Sequence, residues 1–150
     1  MSSVGDPRKK IVSPIDVLTS ARDKLDAGWC RKDFARDDEG RRVDPVKKAA
    51  AYFDIEGAIV HSAHWLARPP HRPEVAWRLE RQLVDLLASL VCKPGEIDEI
   101  GSSYVLEKYN DAKRRKKSEI LKLFDVAIEL IGAEILAEQT RLENGQEPEA

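Results

Sequence analysis

The side chains best suited to chemistry stand close together in the middle of the chain, at Asp54, His61 and His64. Their spacing of i, i+7 and i+10 places all three on one side of a helix. Two imidazoles and a carboxylate are ligand types that suit a divalent metal, and the same groups can transfer protons. A site here would recruit His71 and Asp111 from elsewhere in the chain.

The same three residues also have an ordinary structural explanation. His64 would be a core histidine with one hydrogen bond, while Asp54 and His61 pair with each other or with arginines. A metal site of useful affinity needs three or four ligands, and no obvious partner set accompanies these residues. We therefore expect neither a bound metal nor a cofactor. Asp54, His61, His64 and Asp111 remain catalytic candidates without an assigned reaction.

Basic side chains offer a second kind of chemistry, because runs of cations can dock on phosphates. Five consecutive cations stand between two predicted helices: Lys113, Arg114, Arg115, Lys116 and Lys117. A smaller basic group at 31–42 is diluted by acidic residues at 33 and 37–39. The ordinary alternative is a solvated loop. With a formal net charge of −2 and no base-reading motif, we expect at most weak, sequence-independent binding to nucleic acid.

The usual signatures of enzymes and of membrane proteins are missing from the sequence. Cys30 and Cys92 match no zinc or redox spacing, and there is no nucleophile-elbow, phosphate-loop or zinc-protease motif. No apolar run is long enough to span a bilayer, and no apolar stretch follows the basic residues near Met1. We expect a cytoplasmic protein with free thiols, and nothing in the sequence argues for an enzyme.

The elements that position these residues follow a helical period almost throughout, so the sequence predicts an all-α fold. We expect one domain at 13–142 between a flexible tail at 1–12 and a flexible acidic tail at 143–150. Cap-and-proline signals begin helices at 13–14, 44–45 and 73, and a fourth begins at 118. With one or two short helices at 96–109, this predicts a four- or five-helix bundle.

One stretch breaks the helical period and predicts a small β-hairpin near residues 34–43. The turn at 37–40 ends in Gly40, which tolerates the positive φ that such loops need, so residues 34–36 would pair with 41–43. The helix predicted at 45–67 is apolar on two sides, which makes it the central element. Gly57 inside it marks a close approach of another backbone.

Two further helices carry the strongest stripes of the predicted core. Leu83, Phe124 and Ile128 lie mid-stripe, so each is expected to be nearly fully buried, and Ile135 continues the same face. Trp77, Val84 and Val91 form a thinner second stripe at seven-residue spacing, which would contact a neighbour or the hairpin. This second stripe predicts a contact surface on the helix at 73–91.

Three segments of the chain carry motifs of a known family. Residues 27–43 resemble the pattern W…G-A-x-A-R-D-x-x-G-x-x-V, and residues 53–58 resemble F-C-x-x-G-A. Residues 109–128 resemble W-N-D…E-V-L…F-D-x-A-I. In this order the segments are similar to a bacterial and phage family of small helical proteins classified as a domain of unknown function. Asp54 stands where many members have cysteine, so any function of that cysteine would be absent here.

Two functional hypotheses follow, and the sequence leaves both open. The first is a non-enzymatic helical module that binds a protein partner or a second copy of itself. The second is a small enzyme or ligand-binding protein with a pocket around Asp54, His61, His64, Asn110 and Asp111. An enclosed pocket holding these side chains would favour the second, and a packed centre with an apolar patch outside a helix would favour the first.

Overall fold

The structure, a computed structural model, describes residues 11–145, and this part of the chain is predominantly α-helical. The predicted all-α fold class is confirmed. The predicted tails at 1–12 and 143–150 lie mostly outside the described residues. The elements, in chain order, are α1 (Pro14–Ala27), β1 (Ala35–Arg36), β2 (Tyr52–Phe53), α2 (Ile55–Leu66), α3 (Pro73–Val91), α4 (Glu96–Ile100), α5 (Ser102–Asp111) and α6 (Lys117–Glu143).

Helix α1 begins at the predicted cap. The Ser13 hydroxyl accepts a hydrogen bond from the Asp16 amide, and the Asp16 carboxylate accepts one from the Ser13 amide. This reciprocal pair satisfies two amides that the first helical turn leaves without partners. Arg22 pairs with Asp125 of α6, which lies antiparallel beside α1.

The two-stranded ladder joins different segments from those predicted. Ala35 pairs with Phe53 in antiparallel register, whereas residues 41–43 add only an isolated bridge between Arg36 and Arg42. The turn at 37–40 forms as expected, with Gly40 at a φ of 81°. Phe53 is 1 % exposed, so pairing at 52–53 buries a phenyl ring that pairing at 41–43 alone would leave outside the core.

Helix α2 begins ten residues later than predicted. The Asp44-Pro45 pair opens a series of turns, in which Asp44 accepts hydrogen bonds from the amides of Val46 and Lys47. Asp54, in an extended conformation, is the residue that caps the helix. The prediction of a helix from residue 45 was wrong because residues 52–53 are extended in the ladder. As expected, α2 is buried on more than one side, since it packs against α1, α3 and α5, although α3 contacts a fourth helix as well.

The core follows the predicted stripes, with two exceptions on α6. Leu83 and Phe124 are fully buried, but Ile128 is only half-buried and Ile135 is 41 % exposed. Helix α6 has 27 residues and its antiparallel neighbour α1 has 14, so the C-terminal turns of α6 continue past the start of α1. The apolar period continues there without a helix of the described chain to cover it.

We predict that Leu83→Ala lowers the free energy of unfolding by about 2–5 kcal/mol, because it leaves a cavity in a fully buried site. Chemical denaturation measures this change. Leu136→Ala, at a side chain that is 64 % exposed on α6, serves as the matched control and should change stability by less than about 0.5 kcal/mol. A loss at Leu83 as small as that of the control would contradict this description of the core.

Candidate functional site

The centre of the candidate region is the fully buried amide of Asn110, in the last turn of α5. Its Oδ1 accepts hydrogen bonds from Trp29 Nε1 at 2.8 Å and from the Ile55 amide at 3.1 Å. Its Nδ2 donates to the Cys30 carbonyl at 3.1 Å and to Asp111 Oδ1 at 2.9 Å. Every hydrogen-bonding position that a buried amide needs is filled, so Asn110 acts as a structural connector.

Asp111 holds the loop that follows α1 and does not face the two histidines of α2. Its Oδ1 also accepts a hydrogen bond from the Lys32 amide at 2.9 Å. Lys32 has a φ of 70°, a left-handed conformation that non-glycine residues seldom adopt. The bond from Asp111 stabilises this strained backbone, which turns the chain toward β1.

Asp54 is a catalytic candidate that lines an open cavity of the described chain. Its carboxylate is 4 % exposed, and Oδ1 accepts a hydrogen bond from the Gly57 amide at 2.6 Å. Within residues 11–145, Oδ2 accepts no hydrogen bond, and the side chain lines a cavity of about 540 Å³ beside Phe34. Burial raises the pKa of Asp54 to about 7, and the nearby carboxylate of Glu56 adds to this effect.

The two histidines of α2 are separated from Asp54 and from each other. His61 Nδ1 lies 2.7 Å from the Pro45 carbonyl, and its ring sits between those of Phe53 and Trp65. Burial lowers the pKa of His61, which favours the neutral ring. His64 Nε2 lies 3.2 Å from Glu80 Oε2 on α3. The residues that looked like one site from their spacing therefore make three separate sets of contacts.

This separation follows from the late start of α2. As the cap residue, Asp54 turns its carboxylate back toward the Gly57 amide and does not project from the helix face as a residue inside the helix would. His71 lies in the turn between α2 and α3, away from the Asp54 cavity. Within residues 11–145, no group of three or more His, Cys, Asp and Glu side chains is arranged to hold a metal ion.

Cys30 lies near Asp54 but is not activated as a nucleophile. The residue is buried, and its thiol donates to the Asp33 carbonyl at 3.4 Å. Burial and the nearby charge of Asp54 together raise the pKa of Cys30 to about 12. Because the thiolate is the reactive form, this thiol is unreactive at neutral pH.

Two residues of the basic loop before α6, Arg115 and Lys117, contact other groups of the protein. Arg115 lies over the ring of Tyr109 at 3.6 Å from its centre and pairs with Glu119. Lys117 Nζ donates to the Asp26 carbonyl at 2.8 Å. The remaining basic side chains of this loop are exposed: Lys113, Arg114 and Lys116. Two of the five proposed phosphate-binding residues therefore already have protein partners.

A second concavity lies between α3 and the α4–α5 segment, and we call it the α3–α5 groove. It has a volume of about 730 Å³. Three aromatic side chains on it are half exposed or more, namely Phe34 at 50 %, Trp77 at 58 % and Tyr104 at 59 %. The predicted second stripe of Trp77, Val84 and Val91 contributes Trp77 and Val84 to this groove. The sequence pattern did not place α4 and α5 opposite them, which required the tertiary structure.

Residues 10–130 match the model of a family of unknown function designated DUF6197. The chain belongs to this family. The matched part includes the Asp54 cavity, the α3–α5 groove and the Asn110 connections, and it ends before the last turns of α6. No curated protein and no solved structure is significantly similar to the chain.

The family has no assigned function, so membership in it assigns no activity to this chain. Between residues 11 and 145, no helix combines the length and the apolar character needed to cross a membrane. The chemical features of the region are the Asp54 cavity and the α3–α5 groove, which share Phe34 and Glu107 in their walls.

We predict that Asn110→Ala lowers the free energy of unfolding by about 3–5 kcal/mol, because it leaves the buried Ile55 amide and Cys30 carbonyl, and the half-buried Trp29 Nε1, without partners. Denaturant titration measures the loss. Asn144→Ala, at the exposed end of α6, is the control and should be nearly neutral. Equal effects at the two positions would show that the Asn110 amide does not connect these segments.

We predict that Asp54→Asn stabilises the protein at pH 8 and leaves its stability unchanged near pH 3. Asparagine keeps the cap but removes the buried charge. Because the folded pKa is raised from 3.8 to about 7, the wild type loses stability as pH rises between these values. The gain at pH 8 should be on the order of 1–4 kcal/mol.

Thermal or denaturant unfolding at several pH values measures this difference between wild type and variant. Asp38→Asn, on an exposed turn, is the control and should change stability by less than about 0.5 kcal/mol at each pH. A destabilised Asp54→Asn variant at pH 8 would mean that the charge of Asp54 already has a partner.

Proposed function

We propose that the protein is a non-enzymatic protein-binding module and that the α3–α5 groove is its binding surface. The proposal is carried by one observation, the exposure of Phe34, Trp77 and Tyr104 on a single concave surface. Exposed aromatic side chains grouped in a groove are typical of protein-binding sites, because partners gain affinity by burying them.

The charges on the groove indicate the kind of partner. Its walls carry the carboxylates of Glu56, Glu80, Asp85 and Glu107 against the single cation of Arg81. Burial raises the pKa of Glu56, and the nearby charges of Glu80 and Glu107 raise it further. A cationic segment would relieve this repulsion. We therefore propose a basic peptide segment with one or two bulky apolar residues as the partner.

Two of the four groove carboxylates, Glu56 and Glu80, are held by contacts with other helices. Glu56 Oε1 accepts a hydrogen bond from the Ser103 hydroxyl at 2.7 Å, which joins the start of α2 to the start of α5. Glu80 lies beside His64 on the α2 side of α3. Fixed acceptors of this kind need little reordering when a partner binds, which favours affinity.

The alternative of an enzyme or a small-ligand pocket has less support from the geometry. Asn110 and Asp111 are used in connecting elements, and His61 is held by the Pro45 carbonyl. Among the five residues of that hypothesis, Asp54 is the one that lines the cavity. Phosphate binding through residues 113–117 also has less support, because Arg115 and Lys117 already contact other groups of the protein.

The experiment uses two fluorescently labelled peptides that share tryptophan and leucine residues and differ in charge, one rich in lysine and the other in glutamate. Fluorescence anisotropy at about 150 mM salt measures their affinities. We expect the lysine peptide to bind at micromolar concentration and the glutamate peptide at least about tenfold more weakly. Trp77→Ala and Tyr104→Ala should each weaken the lysine peptide by about tenfold or more.

Leu136→Ala is the matched control, because it removes an exposed apolar side chain from α6 and not from the groove. It should leave the affinity unchanged. Equal binding of the two peptides, or binding that is insensitive to Trp77→Ala, would contradict the proposal. Sedimentation of the protein alone adds another test. A dimer that Trp77→Ala dissociates would show that the groove takes a second copy of this chain and not a basic partner.

A further inference from the structure

We propose that the Asp54 cavity receives one lysine or arginine side chain of the bound partner, whose cationic end pairs with the Asp54 carboxylate. This inference rests on the function proposed above and adds the feature of the partner that the site selects.

The Asp54 carboxylate is not fully hydrogen-bonded by the described part of the chain. The residue is 4 % exposed, and its Oδ2 accepts no hydrogen bond within residues 11–145 although the side chain lines the cavity. The one contact that satisfies the carboxylate, from the Gly57 amide, goes to Oδ1. Oδ2 is not among the buried polar atoms without a partner, so this oxygen of an otherwise buried residue is accessible from the cavity and has free acceptor capacity for a donor from outside the chain.

The Asp54 cavity and the α3–α5 groove are adjacent. Phe34 and Glu107 line both the cavity and the α3–α5 groove, so a segment lying in the groove passes the mouth of the cavity. Val43 and Pro45 add apolar wall to the cavity. Lysine and arginine carry an apolar stem with a charge at its end, which matches apolar walls that lead to a carboxylate.

The charged groups around Asp54 favour a cation over an anion as the occupant of the cavity. Arg42 lines the cavity, and its Nε lies 2.6 Å from Asp33 Oδ1, but Arg36 shares that carboxylate, so the three side chains together keep one positive charge. The carboxylates of Glu56, Asp111 and Glu107 all act on Asp54, and they outnumber the two cations of the cavity wall, Lys32 and Arg42. An entering cation would offset the cost of burying this negative charge, whereas an entering anion would increase it.

The size of the cavity agrees with a side chain as the occupant. About 540 Å³ is ample for one long side chain and its remaining hydration. Asp44 and Glu107 are exposed among the lining residues, so further carboxylates stand on the path of an approaching cation. Lys32 also lines the cavity, and its backbone is held by Asp111.

The test is a double-mutant cycle between Asp54 and the lysines of the peptide. Each lysine of the lysine peptide is replaced in turn by norleucine, which keeps the stem and removes the charge. Each peptide is then titrated against wild type and Asp54→Asn, a variant that retains the cap acceptor for Gly57. We expect one lysine whose replacement weakens binding about tenfold in wild type and no more than about twofold in the variant.

Asp85→Asn provides the matched control, because it removes a groove carboxylate that does not line the cavity. It should weaken the lysine peptide without coupling to that one lysine. Trp77→Ala should still weaken binding in the Asp54→Asn background, which shows that the variant keeps its groove.

The outcomes separate this inference from the function on which it rests. If every lysine contributes equally in wild type and in Asp54→Asn, while Trp77→Ala still weakens binding, the Asp54 assignment is wrong and the groove stands. If the lysine peptide fails to bind the wild type, the groove itself is wrong and the Asp54 assignment falls with it.

Discussion

The structure depends on the hydrogen bonds of one buried amide, that of Asn110. The side chain has no exposure to water, so each of its polar groups must find a partner in the protein. The partners come from the end of α1, the start of α2 and the last turn of α5, three places far apart in the chain. Satisfying one amide therefore fixes where three helices meet.

The position of α2 has direct consequences for the candidate site. Because the Ile55 amide is bound to Asn110, Asp54 is the residue that must cap the helix. The backbone of Phe34 then lies against Gly57, so closely that a Cβ there would stand 1.8 Å from the Phe34 carbonyl oxygen. The close approach predicted at Gly57 is confirmed, although the approaching backbone is a loop and not a second helix. The same contact places Phe34 between the cavity and the groove.

The protein thus separates its structural polar groups from those available to a partner. The Asn110 amide has all its hydrogen bonds inside the protein, and Asp111 and His61 are each engaged with backbone atoms. The carboxylates of the groove and Oδ2 of Asp54 face space that the described chain does not fill. This division favours a binding surface that is built on a rigid core over a catalytic centre within it.

Interactions between residues close together in the chain are sufficient to predict part of the fold. The box formed by Ser13 and Asp16 and the leucine stripe around Leu83 follow from residues within a few turns of each other. Periodicity and caps act over such short distances, so the sequence by itself determined the helical class, the start of α1 and most of the core.

The tertiary structure alone decided the rest. The ladder that pairs Ala35 with Phe53 and the start of α2 depend on contacts between residues far apart in the chain, which no local pattern encodes. The sequence pattern places Asp54 on a helix face with the two histidines, but in the structure Asp54 is the cap that precedes the first residue of α2. The α3–α5 groove exists because α4 and α5 fold back beside Trp77. In each case the deciding free energy comes from burial and hydrogen bonding across the fold and not from the propensity of a segment.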